Sequence, residues 1–176
     1  ITWPWQVEAA ISERTAAVAY SVGIEQGSLP LAELALVAHR HHLPVIVDAA
    51  AALPPVENLR AFIAAGADLV AFSGGKAIGG PQASGILVGR ADLIASVALQ
   101  HQDMDVRAGT WNKRALLAEG RVRGVPHQGF GRSMKVGREE IVGLITALRR
   151  YAAGSDEADA ECWSSLLDRV ADQIGD

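Results

Sequence analysis

The chain has 176 residues, enough for one domain with a full core or for one domain and the start of another, and its 49% hydrophobic and 20% charged residues exclude a disordered chain. No apolar run approaches the roughly 20 residues of a membrane-spanning helix, so no membrane partner is expected. The formal net charge of −4 argues against a generally basic nucleic-acid surface, and the single cysteine, Cys162, excludes an internal disulfide and points to a reducing, cytoplasmic setting.

In chain order, Val7 to Ser12 reads as the end of a helix and Thr15 to Val22 as a strand. Gly27-Ser28-Leu29-Pro30 breaks the chain and starts a helix, with Ser28 as the candidate N-cap. Leu31, Leu34, Ala35 and Ala38 form the apolar stripe of a helix over Leu31 to His41. Pro44-Val45-Ile46-Val47 is a continuous apolar strand ended by Asp48, the pattern of a strand covered on both faces. Glu57 to Ala65 is helical and closed by Gly66 at C′, and Asp68 to Phe72 is the next strand. A glycine-rich loop runs from Ser73 to Gly85 before the strand Ile86-Leu87-Val88 and the helix Ala91 to Gln100. His101 to Gly137 reads as irregular or partly helical connections, and helices follow over Arg138 to Ala153 and Glu157 to Ile174. The alternation predicts an α/β fold, a parallel-rich sheet with right-handed crossovers and helices on both faces, followed by helices.

Two chemical groups fall at one rim of such a sheet. Ligands of open α/β sheets gather at the carboxyl ends of the strands. Asp48 ends one strand, and Lys76 lies just beyond the next in Phe72-Ser73-Gly74-Gly75-Lys76. An acid and an amine at one rim suit pyridoxal phosphate, which needs a lysine for its Schiff base and an acid that keeps its ring nitrogen protonated. Ser73, three residues before Lys76, is placed to donate a hydrogen bond to the cofactor phosphate, and the glycines around Lys76 let backbone approach a planar ring. A P-loop is excluded, because Val70 stands where its first glycine is needed and Ala77 follows Lys76.

The segments Pro44 to Pro55 and Phe72 to Gly85 resemble the selenocysteine synthase family, in particular its branch similar to D-glucosaminate-6-phosphate ammonia-lyase. Gly131-Arg132-Ser133-Met134-Lys135-Val136-Gly137 is similar to that branch as well, and the resemblance runs from about Thr15 to Tyr151. It implies part of the large domain of a fold-type-I pyridoxal-phosphate transferase over residues 1–105, a connecting segment over 106–137 and the helical start of a small domain over 138–176. It further implies Lys76 as Schiff-base lysine and α-proton base, Asp48 at the pyridine nitrogen, Ser73 at the phosphate and Gln82 as a residue that helps the lysine loop reach the cofactor or a neighbouring subunit. Arg132 becomes the candidate for the carboxylate or phosphate of the substrate. The implied reaction is α,β-elimination on an amino acid or phosphorylated amino-sugar acid, in a homo-oligomer with active sites between subunits. Selenium transfer on a seryl-tRNA, transamination and a non-catalytic remnant are the alternatives, and the acidic net charge weighs against a tRNA partner. No phosphate-binding glycine loop or ring-stacking group is recognisable before Thr15, and the chain opens at Ile1 rather than Met, so a middle-to-late portion of such an enzyme is expected.

Other residues have simpler readings. His39, His41 and His42 cluster at a helix C-terminus, where the macrodipole favours cations without a metal. Trp3, Trp5 and Cys162 are expected to pack, His127 to be a loop histidine, and most of the basic run from Arg107 to Arg123 to meet solvent or another subunit.

Overall fold

The computed structural model of the protein describes residues 1–23, 27–102 and 107–175. They form two units, Ile1–Gly89 with Gly137–Asp176 and, separately, Arg90–Val136. The boundary expected at 105–106 falls on residues outside those described.

The first unit is built on a four-stranded sheet, β1 (Val18–Ser21), β2 (Val45–Asp48), β3 (Leu69–Ser73) and β4 (Gly85–Gly89), in spatial order β1-β2-β3-β4. β1, β2 and β3 are parallel, whereas β4 runs antiparallel to β3. The connection decides that direction. A parallel return requires a crossover of about a dozen or more residues, usually a helix. Residues 74–84 contain no helix, and the chain turns back on itself through hydrogen-bonded turns.

Helices α1 (Pro4–Ala10), α2 (Leu31–Arg40) and α3 (Asn58–Ala64) share one core with the sheet. Val45, Val47 and Val70 are fully buried there, each worth about 1.5–3 kcal/mol over exposure. The α2 stripe of Leu31, Leu34, Ala35 and Ala38 is buried as the spacing predicts. Phe62 of α3 meets Phe72 of β3 with ring centroids 6.3 Å apart. Both crossovers step the same way across the sheet, so right-handed connections set α2 and α3 on the same face. The opposite face, where helices were also expected, leaves Ala19, Ile46 and Leu87 exposed in this chain.

The opposite end of the strands from Asp48 is held by a buried carboxylate. Asp68, just before β3, accepts hydrogen bonds from the Val45 amide at 2.8 Å and pairs with the His39 ring at 2.8 Å. His41 and Arg40 meet Glu8 of α1 at 2.5 and 3.0 Å. His39 and His41 are therefore engaged with carboxylates, beyond the favourable place that the macrodipole gives a cation there. Gly66 takes φ +104°, the left-handed C′ conformation expected of it.

Three local expectations need correction. Ser28 is not the N-cap of α2: the helix starts at Leu31 with Pro30 as its flanking residue, because Leu29 is drawn into the core and proline holds φ at −57°. Trp3 and Trp5 are 59% and 66% exposed, since the short α1 buries only its Val7 face. Cys162 is exposed as well, on α7 (Asp156–Ile174), which is exposed along nearly its whole length because no described element covers its apolar side.

Helix α6 (Arg138–Ala153) carries Glu139 and Glu140 in its first turn and Arg150 in its last, in accord with the macrodipole. It packs on the glycine-rich loop, with Leu144 beside Gly74 and Pro81 beside Gly143. Among the described residues no helix is long and apolar enough to cross a membrane.

The second unit contains α4 (Ala91–Gln100), a 3₁₀ turn at Ala108–Thr110, the short α5 (Ala115–Ala118) and a 3₁₀ segment at Phe130–Met134. Trp111 is its anchor, 1% exposed, with the indole N–H donating to Gln102 Oε1 at 3.1 Å. The Gly129 amide donates to the Gln102 carbonyl at 3.2 Å, which returns the segment bearing Arg132 to the end of α4.

Candidate active site

Side chains alternate along a strand, and residues in register share a face. Ser21, Asp48 and Ala71 are in register across β1, β2 and β3, and Ser73 lies two residues beyond Ala71. Asp48 and Ser73 thus project from one face at the carboxyl edge, with Cα atoms on the order of 8 Å apart from the spacing of adjacent strands and the rise along one. It is the same face that leaves Ile46 and Leu87 exposed. Asp48 itself is exposed, and its Oδ1 accepts from the Ala50 amide at 3.0 Å, which fixes the carboxylate as the chain leaves the strand.

The lysine loop is closed by its own backbone. The Gly74 amide donates to the Ser84 carbonyl at 2.9 Å, and the Gly80 amide to the Gly74 carbonyl at 2.8 Å. Gln82 donates from its amide to the Gly75 carbonyl at 3.0 Å and packs directly on that glycine. Ile78 is buried and pins the loop, while Lys76 is exposed in the turn closed by the Gly79 amide on the Lys76 carbonyl at 2.8 Å. No ion pair of Lys76 with a described residue is formed. An acid, a hydroxyl and an accessible amine therefore occupy one strand edge and the loop leaving it. That donor set fits pyridoxal phosphate: a carboxylate for the ring nitrogen, a hydroxyl for the phosphate and an amine for the aldehyde.

Arg132 belongs to the second unit. It sits exposed in the 3₁₀ segment, with its amide bonded to the Gly129 carbonyl at 3.0 Å, and lines a shallow cleft of about 470 Å³ with Gln128, Phe130 and Ser133. Sequence reasoning did not find the larger cleft of the first unit. It measures about 710 Å³ and is lined by Ala77, Ile78 and Gly79 on the loop side and by Thr146, Arg150 and Trp163 on the helical side. Neither Lys76 nor Asp48 lines it. Only tertiary contact brings α6 and α7 to the loop, so no local pattern announces this cleft.

Comparison with known proteins identifies the family. The sequence profile described as L-seryl-tRNA selenium transferase (SelA) matches residues 6–110, which include Asp48, Ser73, Lys76 and Gln82. The chain belongs to the L-seryl-tRNA selenium transferase family. Among members and relatives, it is 37% identical over 173 residues to the D-glucosaminate-6-phosphate ammonia lyase of Salmonella typhimurium (strain 14028s / SGSC 2262), covering 97% of this chain and 37% of that protein. It is 35% identical to a 5'-C-glycyluridine monooxygenase-decarboxylase of Streptomyces sp, covering 88% of this chain and 32% of the relative. A solved structure of D-glucosaminate-6-phosphate ammonia-lyase superposes with a TM-score of 0.64 at 36% identity, over 87% of this chain and 34% of that one. The fold is that of the fold-type-I enzymes, with a mixed sheet. The chain spans about a third of the length of these relatives, from 32% to 37%.

Proposed function

We propose that this chain carries the cofactor-holding edge of a pyridoxal-phosphate lyase that performs α,β-elimination, with dehydration and loss of ammonia, on an amino acid or a phosphorylated amino-sugar acid. The observation that supports the reading is the run from Asp48 and Ser73, on one face of the strand edge, into the exposed amine of Lys76. The 37% identity to an ammonia lyase favours elimination over transfer.

In this reading the bound cofactor supplies an electron sink for the pair left at the substrate's α-carbon. Lys76 Nζ would hold the cofactor through its aldehyde carbon, and the same amine would serve as the base for the substrate's α-proton. Asp48, held by the Ala50 amide, keeps a proton on the ring nitrogen. Ser73 donates its hydroxyl to the phosphate. Gln82 braces the loop through Gly75, and Arg132 offers a guanidinium fork to the substrate's carboxylate or phosphate. Residues 1–105 act as part of a large domain, 106–137 as a connection and 138–176 as the start of a small domain. The setting is the cytoplasm, the assembly a homo-oligomer and the substrate a small molecule.

Selenium transfer on a seryl-tRNA is the second reading, favoured by the family match over residues 6–110. The net charge of −4 and the elimination chemistry of the 37% identical relative weigh against it.

The test is to incubate the purified chain with pyridoxal phosphate, reduce with borohydride and map the adduct by peptide mass spectrometry. Lys113 and Lys135 are the only other lysines, so the assignment is unambiguous. A stoichiometric pyridoxyl label on Lys76, absent in Lys76→Ala, is expected. Low labelling scattered over Lys113, Lys135 and Lys76 overturns the claim that this chain holds the cofactor.

A further inference from the structure

The segment that follows Asp48 is anchored at both of its ends. At its start, Asp48 Oδ1 accepts from the Ala50 amide at 3.0 Å, and the Ala49 amide donates to the Ala71 carbonyl at 2.9 Å. In its middle, the Ala52 amide donates to the Ala49 carbonyl at 3.0 Å, and Asn58 Nδ2 donates to the Ala52 carbonyl at 2.7 Å. Pro54 and Pro55 have no N–H, so Val56 brings the first backbone donor after them. That donor leaves the segment altogether: the Val56 amide bonds to Asp156 Oδ2 at 2.9 Å, one hundred residues away in sequence. The other oxygen of Asp156 accepts from the Tyr151 hydroxyl at 3.5 Å.

Asp156 is the first residue of α7, next to its N-cap Ser155, and Tyr151 lies in the last turn of α6. Both are half-buried, as is Val56. Burial first, and then the charge and hydrogen bond of Asp156, hold the Tyr151 hydroxyl above its ordinary value of 10.0, so it remains a donor at neutral pH. The α6–α7 corner and the end of the Asp48 segment are thus joined through one carboxylate.

We infer that Asp156 is a positioning residue for Asp48: by holding Val56 and Tyr151 it ties the segment over residues 49–58 to the α6–α7 corner, and so couples the C-terminal helices to the acid that faces the cofactor. The coupling to the cofactor rests on the functional reading above; the tie itself does not. It acts through backbone, because Asp48 and Asp156 bond to opposite ends of one segment and the Asn58–Ala52 bond bridges between them.

Two variants separate the outcomes. Asp156→Ala removes the acceptor, whereas Asp156→Asn keeps an oxygen for the Val56 amide. Hydrogen exchange of the chain without cofactor is measured across residues 49–58, and affinity for pyridoxal phosphate is followed by the absorption that appears on binding to Lys76. Exchange is expected to rise about tenfold or more in Asp156→Ala, as befits a lost bond to a charged acceptor. Affinity falls by a similar factor, and Asp156→Asn recovers most of both. Unchanged exchange in Asp156→Ala overturns the inference, and so does a loosened segment with unaltered cofactor affinity. Should the wild-type chain take up no pyridoxal phosphate, the functional reading fails on its own and the coupling to Asp48 falls with it, while the exchange result still decides the tie.

Discussion

Gly75 has little room, and what crowds it is Gln82. A Cβ there would stand 2.6 Å from the Cα of Gln82 and 2.7 Å from its Oε1, so the two stretches of the loop touch along their backbones. Backbone cannot yield as a flexible side chain does. Gly75→Ala is expected to force the loop apart, break the Gln82–Gly75 bond and cost about 1–3 kcal/mol, the usual scale of overpacking. A lowered urea midpoint together with a loss of pyridoxyl labelling on Lys76 would bear this out; wild-type behaviour in both would show that the loop opens freely. At this scale the placement of Asp48, Ser73 and Lys76 at the strand edge and the loop leaving it was legible, because each stands at or next to an apolar strand. The contact of Gln82 with Gly75 was not, since it depends on how eleven irregular residues between β3 and β4 fold back on themselves.

At the scale of elements, α1 and α2 are joined through charge. Glu8 takes His41 and Arg40 on its two oxygens, and its carboxyl is held below the ordinary 4.5 chiefly by the His41 hydrogen bond. A lowered carboxyl in the folded state means that the unfolded chain binds more protons around that pH, so stability rises with pH there. The contribution is present above about pH 4.5 and is lost as the pH falls through the lowered folded value. Urea midpoints of wild type and Glu8→Gln are expected to differ at pH 6 and to converge as the solution is acidified through the carboxyl's lowered value. A constant gap would show that the carboxylate's charge is immaterial to the contact. Sequence periodicity placed α2, and the helix end expected over Val7 to Ser12 falls at Ala10, but the pairing of the two helices was not legible because Glu8 and His41 are thirty-three residues apart.

At the scale of the whole molecule, the chain divides into two units with separate anchors. The first is anchored by the sheet core around Val45, Val47 and Val70, the second by Trp111. Truncating a buried Trp costs about 3–5 kcal/mol. Trp111→Ala is therefore expected to raise hydrogen exchange over the described residues of 90–136 while β1 to β3 stay protected. Equal loss of protection in β2 would show that the two units unfold as one. Trp111 escaped the sequence reading because it lies among polar and glycine-rich residues, with no apolar period to mark it as buried.

By itself the sequence determined the strands and helices around Asp48 and Lys76, and with them the family. Apolar runs and 3.6-residue stripes are local signals, and a carboxylate or lysine adjoining a strand inherits its place from that strand. Helix α2 and helix α6 appear where their periodicity puts them. Tertiary structure alone decided the antiparallel course of β4, the core that α2 and α3 share with the sheet and the partners of Asp68, Gln82 and Asp156. Each of these depends on where a connection is too short for a crossover, or on side chains brought together from distant parts of the chain. Such information lies in the geometry of closure and is carried by no window of residues.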